Sequence, residues 1–141
     1  MDWEIALYRD EMFQGVEALW RETFPDAPPR NQAAAAIPAK LAVQPDLFLI
    51  ALEGDGVVGT VMAGYDGHRG WLYSVAVRPS HQRLGVGSAL VREAERRLEA
   101  LGCLKINLQV LPENSAVAAF YEKLGYAIEA RISMGKLTEP S

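Results

Sequence analysis

The chain has few of the residues that several protein classes depend on. Its only cysteine, Cys103, cannot form an intrachain disulfide, and with two histidines, His68 and His81, it lacks any familiar spacing of metal ligands. Its 14 basic and 18 acidic side chains give a formal net charge of −4, and the chain carries no basic tail. Binding to nucleic acid by counterion release is therefore not indicated. We expect a protein with neither a metal nor a nucleic-acid partner.

Long apolar runs are also missing, because none of the apolar runs in the sequence is long enough to cross a bilayer. Asp2 and Glu4 stand where a signal peptide would carry basic residues. These features predict a cytoplasmic protein that does not bind membranes. Half of the 141 residues are hydrophobic, which is enough to bury a real core. We expect a single domain over residues 1–141.

Apolar runs and turn signals predict an α/β protein with a mixed sheet. The sequence Gly54-Asp55-Gly56 separates two β-prone runs and indicates a hairpin. After Pro79 the order changes to alternating helices and strands, and Gly102 and Gly125 end two of the helices. The predicted strands are 3–9, 47–53, 57–65, 71–77, 104–110 and a closing region over 126–137; the predicted helices are one capped by Asp10, an alanine-rich one over 31–43 with a kink at Pro38, and two over 86–101 and 115–124.

The most informative segment joins the strand over 71–77 to the helix over 86–101. It contains Gly85 and Gly87, which let backbone N–H groups approach an anion closely. The helix that follows directs its unpaired donors and the positive end of its dipole at the same point. This context predicts a pocket for a phosphate-bearing cofactor, whereas an isolated pair of glycines would indicate only a turn. Leu90 occupies the third glycine position of a Rossmann motif, and no Gly-Lys-Ser/Thr follows to make a Walker loop.

From Gly59 to Leu137 the chain resembles the GNAT superfamily of N-acetyltransferases. The resemblance rests on Val75-Ala76-Val77-Arg78-Pro79, on Gln82-x-x-Gly85-x-Gly87, on Asn114 and on Phe120-Tyr121-x-x-x-Gly125-Tyr126. The Gly64–Gly70 turn is similar to the small bacterial YpeA-like subgroup. The resemblance implies a mixed twisted sheet of six to seven strands with about four helices, in which the central parallel strands splay apart. It also implies acetyl-CoA as the acetyl donor.

The resemblance assigns roles to individual residues. The pyrophosphate of acetyl-CoA would meet the backbone of the loop, and the pantetheine arm would lie along the central strand as a pseudo-strand, where the Val75 N–H could also polarise the acetyl carbonyl. Tyr121 would protonate the departing thiolate, and Asn114 would contact the pantetheine. The plainer interpretation of Tyr121 is a core aromatic, whereas Asn114 is expected both to cap its helix and to contact the ligand. The residues expected to bind the cofactor are Val75, Ala76, Val77, Gln82, Arg83, Leu84, Gly85, Val86, Gly87, Ser88 and Asn114.

The implied reaction is direct attack of a neutral amine on the thioester. The acceptor would be an amine of a small molecule or a protein amino group, recognised by residues 25–45 and 66–70. Asp66, His68, Tyr73 and Glu53 are candidate bases, although turn roles suit Asp66 and His68 better. A non-catalytic acyl-CoA-binding regulatory module is the alternative function. The oligomeric state stays open; edge strands near the C-terminus often pair in the family, so a homodimer is one option.

Overall fold

The structure is a computed structural model that describes residues 2–139. It divides into two units at the boundary between Leu108 and Gln109. In the first unit the strands are β1 (Glu4–Leu7), β2 (Phe48–Glu53), β3 (Gly56–Tyr65), β4 (Gly70–Val77) and β5 (Ile106–Asn107), and the α-helices are α1 (Phe13–Thr23), α2 (Ala33–Val43) and α3 (Val86–Ala100). The second unit contains helix α4 (Ser115–Lys123). Short 3-10 turns lie at Asp10–Met12, Pro29–Asn31, Pro45–Leu47 and Pro79–His81.

The strands form one mixed sheet in the order β1-β2-β3-β4-β5. The first three pairings are antiparallel, and β4 pairs with β5 in parallel. This confirms the predicted fold class. The predicted hairpin is also present, since β2 and β3 pair from Glu53 and Gly56 onward and Gly54 takes a left-handed φ of +61°. Only glycine adopts that conformation at little cost, which explains why the turn was readable from sequence.

The number of strands was overestimated, because residues 2–139 form five strands and not six to seven. Only Ile106–Asn107 of the predicted 104–110 strand pairs, and the 126–137 region contains no strand. Alternating apolar residues make a strand only where one face is buried. Here Leu104 is 97% exposed, and Ile128 and Ile132 are similarly exposed. The apolar residues of these segments therefore do not form the buried face of a sheet.

The helices follow the predicted positions, with one error at the first. Asp10 was expected to cap a helix, but a 3-10 turn over Asp10–Met12 precedes α1, whose N-cap is Met12 without a side-chain hydrogen bond. Asp10 lies in that 3-10 turn and not in the first turn of α1, which contains no acidic residue. Pro38 lies within α2 as expected. None of the helices in the described part of the chain is both long and apolar enough to cross a membrane.

Helices cover both faces of the sheet in the first unit. On one face α1 and α2 pack against the strands and build a core of Met12, Val16, Leu19, Trp20, Ala33, Ile37, Phe48, Ile50, Leu52, Val57, Met62 and Ala76. On the other face α3 buries Val86, Leu90, Val91, Ala94 and Leu98. A Cβ at Gly59 of β3 would lie 2.8 Å from Leu90 Cδ1, so α3 rests directly on that strand. This contact fixes where the N-terminus of α3 meets the end of β4.

Candidate functional site

The end of β4 is held by backbone and side-chain hydrogen bonds to β3. The Arg78 N–H donates to Val58 O at 2.9 Å, and its Nε donates to Val57 O at 2.6 Å. The 3-10 turn over Pro79–His81 then leads into the glycine loop and on to Val86, the first residue of α3. The predicted junction of strand, loop and helix is therefore present. It places the loop at the carboxyl end of a central strand, where α/β sheets commonly bind ligands.

Two residues of the loop have left-handed backbone conformations. Gly85 has φ +88°, and Arg83, which carries a side chain, has φ +68°. Gln82 ties the loop to β4, because its Nε2 donates to Val77 O at 3.2 Å. The Leu84 N–H donates to His81 O at 3.4 Å, so it is the least available of the predicted phosphate donors. The loop is thus shaped by its own contacts before any ligand binds.

The first turn of α3 presents backbone donors that the helix itself cannot satisfy. Val86, Gly87 and Ser88 begin the helix, and the first N–H groups of any α-helix have no carbonyl partner one turn earlier. The N-cap is Gly85, which offers no side-chain cap, and no acidic residue lies in the first turn. The positive end of the dipole therefore lacks an internal counter-charge. This arrangement suits a phosphate group.

A β-bulge interrupts the ladder between β3 and β4. Thr60 pairs with Ala76 and Met62 pairs with Tyr73, so Ser74 and Val75 together oppose the single residue Val61. Ser74 has φ +52°, a conformation that side-chain-bearing residues rarely adopt. Sequence analysis singled out Val75 but not the bulge. Bulges redirect backbone groups out of the ladder, and they are over-represented next to active sites.

On its other side β4 is largely open within the first unit. Its ladder with β5 covers only Gly70 and Trp71, so the register ends before Val75–Val77. The parallel strands thus pair at one end only, as expected for strands that splay. Ala76 is buried, while Val75 and Val77 are partly exposed. The three predicted binding residues on β4 lie in the part that has no ladder with β5.

Thr60 holds the bulge through a buried hydrogen-bond relay that sequence reasoning missed. Its Oγ1 donates to Ser74 O at 2.8 Å and accepts from Trp20 Nε1 at 2.9 Å. Thr60 is 0% exposed and Trp20 is 4% exposed. The threonine in the middle of the apolar run 57–65 was the available signal, since buried hydroxyls need partners.

The candidate bases are placed in ways that disfavour most of them. Asp66 Oδ1 accepts hydrogen bonds from the backbone N–H groups of His68 and Arg69, which lower the pKa of its carboxyl and give it the predicted turn role. Glu53 Oε1 lies 3.2 Å from His81 Nε2. Glu53 is beside the turn between β2 and β3, whereas Asp66 follows the opposite end of β3. Burial raises the pKa of Tyr73. No single base emerges from these contacts.

Lys40 of α2 is an unexpected buried cation. It is 6% exposed, its Nζ donates to Ala63 O, and it lies 5.4 Å from the centre of the Tyr73 ring. Burial lowers the pKa of Lys40 to about 8, partly offset by the negative charge of Asp46. The alanine-rich pattern of this helix gave no indication that its lysine faces the sheet. The hydrogen bond of this lysine therefore links α2 to β3.

A cleft of about 320 Å³ opens between the end of α1 and the start of α2. It belongs to the first unit and includes part of the segment that sequence analysis assigned to acceptor recognition. Glu17 and Arg21 form an ion pair of 3.5 Å at this cleft. The lining residues are Glu17, Trp20, Arg21, Phe24, Pro25, Ala27, Asn31, Gln32, Ala33 and Ala34.

The second unit contains Asn114 and Tyr121. Tyr121 is 7% exposed, its ring packs edge-on against Phe120 and Tyr126, and burial raises the pKa of its phenol to about 12. Asn114 stands at the N-cap of α4, but the expected side-chain cap is absent. Its ψ of 62° departs from the extended backbone of an ordinary N-cap. Asn114 is therefore the N-cap residue by position, as predicted, but its side chain is exposed and makes no capping hydrogen bond.

Comparison with known proteins decides the family. The acetyltransferase (GNAT) family matches residues 9–126. The chain belongs to the GNAT family. An acetyltransferase of Pectobacterium atrosepticum is 42% identical over 133 residues, covering 94% of each chain. These findings confirm the prediction of an acetyl-CoA-dependent acetyltransferase; membership of the YpeA-like subgroup stays a prediction.

Solved structures share the fold of this GNAT protein. Ard1 from Thermoplasma volcanium superposes with a TM-score of 0.83 at 22% identity, over 92% of this chain and 86% of that one. The PaiA N-acetyltransferase from Thermoplasma acidophilum, in complex with coenzyme A, gives a TM-score of 0.80 at 20% identity over 94% of each chain. At these identities the likeness concerns the fold.

Proposed function

We propose that this GNAT protein transfers the acetyl group of acetyl-CoA to a primary amine of a small molecule or protein. The observation that carries the proposal is the loop at the end of β4. The first-turn N–H groups of Val86, Gly87 and Ser88 have no partner one turn earlier, and the first turn of α3 contains no acidic residue. Arg83 adds an exposed cation to the same loop. Together these groups suit the diphosphate of coenzyme A.

The pantetheine arm extends along β4 in this proposal. Val75–Val77 lie beyond the short ladder with β5, so their backbone groups suit hydrogen bonds to pantetheine amides in the manner of an added strand. The Val75 N–H lies at the bulge and polarises the acetyl carbonyl. An N–H aimed at the oxygen that becomes negative during attack stabilises the tetrahedral intermediate.

Tyr121 acts as the general acid for the departing CoA thiolate. Support comes from its place in the family-like motif and from its side chain, since a tyrosine phenol is protonated at neutral pH and can donate a proton. Asn114, whose side chain is exposed and does not cap α4, is proposed to contact the pantetheine. We propose that the amine approaches from the cleft between α1 and α2, where Glu17 offers a carboxylate to an ammonium group before deprotonation.

The test is CoA release from acetyl-CoA over a broad panel of amines, with wild type, Tyr121→Phe and Tyr8→Phe. Tyr8 is a matched control because it is a tyrosine stacked on Phe48 and is outside the proposed chemistry. Loss of a general acid predicts a fall in kcat of about 10²-fold or more for Tyr121→Phe, with the KM for acetyl-CoA nearly unchanged. Tight binding of acetyl-CoA without turnover on any amine would instead favour the non-catalytic acyl-CoA-binding module.

A further inference from the structure

The bulge in β4 has a conformational strain that needs an external support. Ser74 has φ +52°, and a side-chain-bearing residue keeps such a conformation only where its surroundings hold it there. Ser74 and Val75 have no Cα partner of their own in the register with β3. The support that the described residues offer is the hydrogen bond from Thr60 Oγ1 to Ser74 O.

The direction of that hydrogen bond is fixed by chemistry. The indole Nε1 of Trp20 can only donate, so the Thr60 oxygen accepts from it at 2.9 Å. The hydroxyl of Thr60 has one proton, which therefore points onward to Ser74 O at 2.8 Å. Both side chains are buried, so water does not compete for these bonds. The relay thus runs one way, from α1 through β3 to the bulge.

Holding the carbonyl of Ser74 also orients the N–H of Val75. The two groups belong to one peptide unit, which is planar and trans, so the C=O and the N–H point in opposite directions. We propose that Thr60, oriented by Trp20, is a positioning residue that aims the Val75 N–H at the acetyl carbonyl. This inference rests on the proposed function, because it assumes that the Val75 N–H makes that contact.

Thr60→Val removes the hydroxyl with little change of shape, and Thr60→Ser keeps it. Removing an oxyanion donor directly costs about 10²-fold in kcat or more, so misaiming one predicts a loss of about tenfold for Thr60→Val. The KM for acetyl-CoA should change by less than about twofold, because the diphosphate and pantetheine contacts remain. Thr60→Ser should retain kcat within about 1.5-fold. Wild-type kcat per folded molecule in Thr60→Val would overturn the inference.

A second readout does not need turnover. The amide proton of Val75, followed by NMR, should shift and exchange with solvent at least about tenfold faster in Thr60→Val but not in Thr60→Ser, because only the former releases the peptide. An unchanged Val75 amide in Thr60→Val would overturn the inference. Absence of turnover in wild type would refute the proposed function instead, and the amide measurement would still decide the positioning.

Trp20→Phe gives an independent variant if Thr60→Val does not fold. It leaves Thr60 its hydroxyl but removes the group that orients it, so kcat should fall by about threefold, less than a lost direct donor costs. Because Trp20 also lines the α1–α2 cleft, kcat is compared at saturating amine. Unchanged kcat and an unchanged Val75 amide in this variant would contradict the relay.

Discussion

Replacing Arg83 with glycine should raise stability and weaken cofactor binding at the same time. Arg83 has φ +68° and an exposed side chain. A left-handed conformation costs a side-chain-bearing residue about 1–2 kcal/mol. Glycine removes that strain but loses about 0.5–1 kcal/mol more through the entropy of the unfolded chain. The net change predicted for Arg83→Gly lies between zero and a gain of about 1.5 kcal/mol, or up to about 6 °C in Tm.

The same variant loses the cation proposed to meet the diphosphate. A charge-assisted hydrogen bond contributes about 1.5 kcal/mol or more, so the Kd for CoA should rise about tenfold. Differential scanning calorimetry of the free protein and titration calorimetry with CoA measure the two effects separately. Arg92→Ala is the control, since it removes an exposed arginine from the body of α3 and changes the net charge equally. An affinity loss no larger than that of the control would refute the role of Arg83, and a lowered Tm would refute the strain argument.

Two further predictions concern the first unit. Gly59→Ala should destabilise the protein by about 1–3 kcal/mol in thermal melts, because the new methyl would lie 2.8 Å from Leu90 Cδ1 and 3.0 Å from Val86 Cγ1. Gly135→Ala is the control, since a methyl there meets nothing within 4 Å. Equal melting temperatures of the two variants would contradict the packing of α3 on β3. The pKa of Lys40 falls from 10.5 to about 8 on folding, so folding releases a proton between these values and stability should rise with pH across that window relative to Lys40→Met. A flat difference between pH 8 and 10.5 would show that Lys40 is not buried as a cation.

The parts of the fold that sequence predicted are those determined by local chemistry. The β2–β3 hairpin follows from a glycine turn between apolar runs, and the start of α3 follows from Gly85 with its left-handed φ. In each case the information lies within a few residues of the feature it specifies.

The parts that sequence did not predict depend on contacts between distant residues. The bulge at Ser74 is held by Thr60, which is 14 positions away and is itself oriented by Trp20, 40 positions away. Burial of Lys40 depends on a carbonyl of β3, 23 positions away. Periodicity places a lysine on the solvent side of a helix and treats a threonine in a strand as neutral, so neither contact could be deduced. The prediction of strand pairing over residues 104–110 and 126–137 was wrong for the same reason, since pairing depends on a neighbouring strand that is distant in sequence.

The central claim is that backbone N–H groups at the start of α3 grip the diphosphate of acetyl-CoA. A crystal structure of the protein with bound CoA tests it most directly. The account predicts diphosphate oxygens within hydrogen-bond distance, about 3 Å, of the backbone nitrogens of Val86, Gly87 or Ser88. A bound CoA whose diphosphate contacts none of the nitrogens between Arg83 and Ser88 would contradict it.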